Sequence, residues 1–131
     1  MIASRLGPGQ DLKLELVKIV KTRQLESGVI ISIVGSLNNA ILRMADGNTK
    51  IFNGPFEIVS AEGTLSKDGV HVHVAIADEN GLVSGGHLKN GCEVNTTVEL
   101  CILRTKHSFS RVFDPKTGYK ELIVDEKNEF F

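Results

Sequence analysis

Only two cysteines, Cys92 and Cys101, occur among the 131 residues, and they lack CxxC spacing. A zinc ribbon and a dithiol redox motif are thereby excluded. Both fall on one predicted strand, Cys92 to Arg104, at an odd separation, so they point to opposite faces and cannot meet within it. Each reads as a small residue of a packed core. Excess charge is absent too. Fifteen basic residues face sixteen acidic ones, a formal net charge of −1, which gives no electrostatic reason to expect nucleic acid. Long apolar runs are missing: the longest, Val29 to Val34, is interrupted by Ser32 and far too short to cross a bilayer. The first residues, Met1 to Arg5, lack the apolar core of a secretory signal, so a cytoplasmic protein is expected. Repeats and low-complexity tracts do not occur.

What is present suits one globular domain over residues 1–131, with 41% hydrophobic and 24% charged residues. The periodicity predicts a loop at Arg5 to Gln10 and then a helix over Asp11 to Arg23. Leu12, Leu16, Ile19, Val20 and Arg23 lie near helical spacing there, with Lys13, Lys18 and Lys21 toward the outside. Strands follow at Val29 to Val34, Ala40 to Met44, Thr49 to Phe52 and Phe56 to Leu65, separated by Gly35–Asn39, by the Asp46-Gly47-Asn48 turn and by Asn53-Gly54-Pro55. Beyond the long strand at Cys92 to Arg104, His107 to Asp114 is a weaker strand, Pro115 to Gly118 a turn, and Leu122 to Val124 a last short strand. The class is α+β: a large mixed or antiparallel sheet with few helices. Its core spans about residues 4–124, and 125–131 form a charged tail.

Three of the four histidines fall in one predicted hairpin. In Val70 to Ala77, alternation puts Val70, Val72, Val74 and Ile76 on one face and His71, His73, Ala75 and Ala77 on the other. His71 and His73 are therefore neighbours, roughly 6.5–7 Å apart along the strand. The position of His87 depends on the turn. A two-residue loop at Asn80-Gly81 would place it across from Val74 and mix polar with apolar residues. A three-residue loop, with a type I turn at Glu79-Asn80 and Gly81 left-handed, pairs Asp78 with Leu82 and sets His87 opposite His73. Only the second keeps the apolar face apolar, and a one-residue slip would exchange every side chain of the returning strand. Gly85 and Gly86 would leave open space or a second bulge beside the cluster.

Three neutral imidazoles suit a divalent metal. Zinc is the expected ion, with nickel, copper and iron as competitors. A fourth position would stay open for water or a small anion. The alternative is a set of structural histidines hydrogen-bonded at an interface. Glu57 and Glu62 are the candidates for a general base or a carboxylate supporting the metal, although solvated strand carboxylates explain them as well. Asp78 is explained by the turn, and His107 by the surface. No Ser/His/Asp or Cys/His set can be picked out, so whether the chain is an enzyme, and with which catalytic residues, stays open. Gly85-Gly86 lacks Walker or Rossmann spacing.

Five short motifs occur in order: Arg5-Leu6-Gly7-Pro8-Gly9, Gly35 to Arg43 (GSLNNAILR), Gly54-Pro55-Phe56-Glu57-Ile58, Gly85-Gly86-His87-Leu88 and Asp114 to Tyr119 (DPKTGY). Together they resemble the plants-and-prokaryotes-conserved (PPC) domain family from about Ser4 to Val124. The resemblance implies an α+β domain, usually a homotrimer, often labelled a predicted DNA-binding protein. His71, His73 and His87 match the pattern of stand-alone prokaryotic members. In plant members a preceding AT-hook makes the minor-groove contact, and this chain has no Arg-Gly-Arg-Pro core; it also has Pro55 where plant members tend to have Arg. The expectation is a trimeric metal-binding domain that lies on no membrane, takes a small ligand or anion at the metal, and binds random duplex DNA weakly or undetectably. A DNA-associated regulator and an assembly module are the alternatives.

Overall fold

The computed structural model describes residues 1–125. It contains one helix and eight strands, and every strand pairing among the described residues is antiparallel: β1 (Ile2–Leu6), α1 (Leu12–Thr22), β2 (Gly28–Arg43), β3 (Thr49–Ser66), β4 (Gly69–Ala77), β5 (Val83–Leu88), β6 (Val94–Arg104), β7 (Ser108–Asp114) and β8 (Tyr119–Asp125). The expected mixed or antiparallel sheet is thus antiparallel throughout. Six strands run in the order β1-β6-β2-β3-β4-β5. β5 also pairs with β2, through Leu42 with Leu88 and Arg43 with His87. Strands β2 to β5 therefore close into a ring, while β7 and β8 form a separate two-stranded sheet.

Helix α1 follows the predicted pattern. Leu12, Leu16 and Val20, four residues apart on one stripe, are buried against the sheet. Asp11 caps it: Oδ1 accepts from the Leu14 amide at 3.1 Å, and Oδ2 accepts from the Gly91 amide at 2.6 Å, tying the helix start to the segment before β6. Within the ring, Val70, Val72, Val74 and Ile76 of β4 meet Leu42, Leu65 and Leu88 in one apolar core. Each such side chain contributes about 1.5–3 kcal/mol by leaving water.

Four expectations are corrected. The segment before the helix is not all loop, because Arg5 and Leu6 belong to β1, which pairs with β6. Gly35–Asn39 does not break a strand: β2 continues through it with a register shift between Leu37 and Asn39. Asn53-Gly54-Pro55 likewise lies inside β3, with Gly54-Pro55 cis. A breaker residue in a strand can be absorbed as a bulge when both neighbours keep their hydrogen bonds. Cys92 precedes β6 rather than lying on it; its buried sulfur accepts from the Ile41 amide at 3.2 Å, whereas Cys101 is half-buried on the strand, and both are free thiols. No helix among the described residues is long and apolar enough to cross a membrane.

Candidate metal centre

The β4–β5 hairpin adopts the three-residue loop. The Asp78 amide donates to the Leu82 carbonyl at 3.0 Å and the Gly81 amide to the Asp78 carbonyl at 2.9 Å, with Gly81 at φ +80°. Asp78 Oδ1 also accepts from the amides of Asn80 and Leu82, each at 2.9 Å, so the side chain organises the turn. The ladder then pairs Ala77 with Val83, Ile76 with Ser84 and His73 with His87. The valine face is buried and the three imidazoles share the other side.

His71, His73 and His87 each offer a ring nitrogen, and these three atoms lie within 4.8 Å of one another. His71 Nε2 and His73 Nε2 are 3.1 Å apart, and the ring centroids are separated by 4.9, 5.0 and 5.7 Å. A tetrahedral ion with bonds of about 2.0–2.1 Å separates its nitrogens by about 3.3 Å, so small ring rotations suffice to form the set. His87 Nδ1 is buried with no hydrogen-bond partner among the described residues. Burial, then the Arg43 guanidinium and the neighbouring His71, push the His87 pKa down to about 4. Burial and Arg111 lower that of His71 as well. Both rings are thus held neutral near pH 7, the form that ligates. The donor set and the orphaned nitrogen fit a divalent ion.

The two candidate carboxylates separate. Glu62 is the cross-strand neighbour of His73 and Thr64 that of His71, so Glu62 shares the histidine face, although its side chain is exposed. Glu57 pairs with Ala77, roughly 13 Å along the strand from His73, and is remote from the cluster. His107 is exposed beyond β6 and outside the group. Gly85 and Gly86 do not leave open space: a Cβ on Gly86 would meet Met44 Cε at 2.6 Å and the Arg43 carbonyl at 2.8 Å. Gly86 lets β2 close onto β5, whereas a Cβ on Gly85 would meet the Val74 carbonyl of β4 at 2.6 Å.

Sequence reasoning missed the surroundings. A cavity of about 350 Å³ opens beside His71 and His87, walled by Lys13 and Val17 of α1, Arg43 of β2, and Arg111 and Tyr119 of the β7–β8 hairpin. The Arg43 guanidinium lies 4.7 Å from the Tyr119 ring centroid. Arg111 Nη2 donates to Thr64 Oγ1 at 2.8 Å, while its Nε is buried without a partner among the described residues. These residues are scattered over four elements, and no local pattern marks them.

Comparison with known proteins agrees with this architecture. The model of the Plants and Prokaryotes Conserved (PCC) domain matches residues 1–106. The bifunctional protein GlmU of Synechococcus sp. (strain JA-3-3Ab) is 43% identical over 127 residues, 95% of this chain but 20% of that protein; the chain spans about a fifth of the curated relatives it matches. A hypothetical protein of Salmonella cholerae-suis is 38% identical with a TM-score of 0.90, covering 96% of this chain and 93% of that one. A metal-containing protein of Archaeoglobus fulgidus is 26% identical with a TM-score of 0.75, covering 93% and 91%. Other structural neighbours are named for DNA binding, but at 18% and 22% identity they show the fold alone. With most of its length matched by the domain model, and with the structural likeness spanning nearly the whole of the Salmonella protein, the chain belongs to the Plants and Prokaryotes Conserved domain family.

Proposed function

We propose that this chain is a metal-binding domain that holds zinc through His71, His73 and His87, leaves one coordination position open, and works as a cytoplasmic homotrimer. The observation that carries the metal is the convergence of three ring nitrogens within 4.8 Å, one imidazole being held neutral by burial and carrying an unpartnered buried nitrogen. The metal-containing relative from Archaeoglobus fulgidus supports it. When bound, the ion would supply Lewis-acid polarisation to a ligand in the open position. The chain's own part is to fix the three rings on one rigid hairpin and to hold His71 and His87 neutral.

Self-assembly draws support from a different surface. Ile31 and Val34 of β2, Val59 of β3 and Leu103 of β6 are exposed, at 55%, 58%, 57% and 42%. Such an apolar sheet face needs cover, and copies of the same chain can supply it.

Metal analysis of protein purified without an affinity tag tests the first claim: about one zinc per chain is expected, lost on replacing any one of the three histidines by alanine. Wild-type protein that stays metal-free after zinc incubation would refute it. Light scattering should give three times the chain mass; a stable monomer at micromolar concentration overturns the trimer. The DNA-associated reading rests on names of distant neighbours and faces a net charge of −1. A duplex titration that gave tight binding with a steep salt slope would favour it.

A further inference from the structure

The cavity beside the histidines has a charge pattern of its own. Four cationic side chains line it, Lys13, Arg43, Arg111 and Lys120, against two carboxylates, Asp68 and Glu121. Neither carboxylate is committed to Lys13 or Arg43. Asp68 Oδ2 accepts from the Arg111 backbone amide at 3.1 Å, and Glu121 Oε1 accepts from the Thr117 hydroxyl at 2.9 Å. Lys13 and Arg43 line the same cavity, and burial, then the charges of Lys89 and Arg43, lower the Lys13 pKa. Two buried polar atoms at the cavity, Arg111 Nε and His87 Nδ1, have no partner among the described residues. An unsatisfied buried group normally costs stability; a metal ion would answer the His87 nitrogen, and Arg111 Nε, an N–H donor, calls for an acceptor that a ligand can bring.

We propose that this cavity binds a small organic carboxylate, one end of which is held by Arg43 and Lys13 while the other reaches the His71–His87 side. Size sets the class. About 350 Å³ lies at the small end of ligand pockets, a size that suits a compact metabolite rather than a polymer. Charge sets the sign. The guanidinium of Arg43, braced on Tyr119, presents a planar fork that matches a carboxylate, and Lys13 adds a point charge beside it. The inference rests on the metal reading at its histidine end. A divalent ion on three neutral imidazoles carries its full charge into a site already lined by cations, and a carboxylate relieves both. The Arg43–Lys13 end stands without the metal.

Malonate, with malonamide as its uncharged counterpart, tests this by isothermal titration of the full-length protein in zinc-loaded and chelator-stripped forms, with zinc content measured alongside. Malonate should bind both forms, more tightly with zinc, and malonamide should bind neither. Lys13→Met and Arg43→Gln should each weaken malonate about tenfold or more with zinc content unchanged. Lys13 is half-buried and outside the core stripe of α1, so its variant keeps the test open if Arg43→Gln fails to fold. Binding to the stripped form alone, in a protein that takes up no zinc, would sink the metal reading and leave the carboxylate pocket standing. Absence of malonate binding in both forms, equal binding of malonamide, or affinity indifferent to both substitutions would overturn the proposal.

Discussion

The molecule contains two hairpins with nearly the same turn chemistry and quite different standing. β4–β5 turns at Asp78 to Gly81, and β7–β8 turns at Asp114 to Gly118. In each, the aspartate side chain accepts from the backbone amide two residues on (Asp78 also from that of Leu82), and a glycine sits left-handed, at φ +80° and +79°. Yet β4–β5 buries five apolar side chains, Leu88 among them, and is hydrogen-bonded on both flanks, whereas β7–β8 forms its own two-stranded sheet with Val112, Phe113, Ile123 and Val124 exposed. A turn fixes register; burial fixes strength. The chain places its three convergent histidines on the hairpin that has both.

The contrast breaks first in the core. Ile76→Ala, at a fully buried position of β4, should cost about 2–5 kcal/mol in urea unfolding. Val112→Ala, on the exposed strand β7, should stay within about 0.5 kcal/mol. Equal costs would mean that β7 is as deeply packed in solution as β4.

Metal affinity comes next. His87→Ala should lower zinc affinity by about tenfold or more, since even supporting residues outside the ligand set cost that much. His107→Ala should leave it unchanged, and a comparable loss there would put the site elsewhere.

Gly81→Ala and Gly118→Ala sharpen the comparison further. Each forces a Cβ into the left-handed region, at about 1–2 kcal/mol. Only Gly81→Ala should also reduce zinc affinity, because only that turn sets the register of His87. Identical metal titrations for the two variants would detach the turn from the site.

The last comparison is in pH. Unfolded chain takes up a proton at His87 near the ordinary value of 6.5, while the folded, metal-free protein holds it neutral down to about 4. Its contribution to stability is therefore complete above about pH 6.5 and is lost as pH falls toward 4. The difference in urea midpoint between wild type and His87→Ala should shift across that window, and a constant difference would argue against the buried neutral ring.

Local order was legible in the sequence and closure was not. The helix ends, the hairpin register and the face of all three histidines followed from alternation and one turn, because each is decided within about twenty residues. Gly35 and Pro55 misled for the same reason: taken locally they end strands, and only the neighbouring strands show that β2 and β3 run on through them. The pairing of Arg43 with His87 joins segments 44 residues apart, and Arg111 comes beside the histidines only because the β7–β8 hairpin packs there, a docking that no local pattern specifies. Consequently the metal-ligating set could be named in advance, while the cationic cavity beside it could not.

Tyr119 gives the cavity an optical signature. The chain has no tryptophan and this single tyrosine, whose ring lies against the Arg43 guanidinium. Nearly all of the protein's near-ultraviolet emission therefore originates at one wall of one pocket. Whatever enters beside Arg43 changes the light from the only lamp in the molecule.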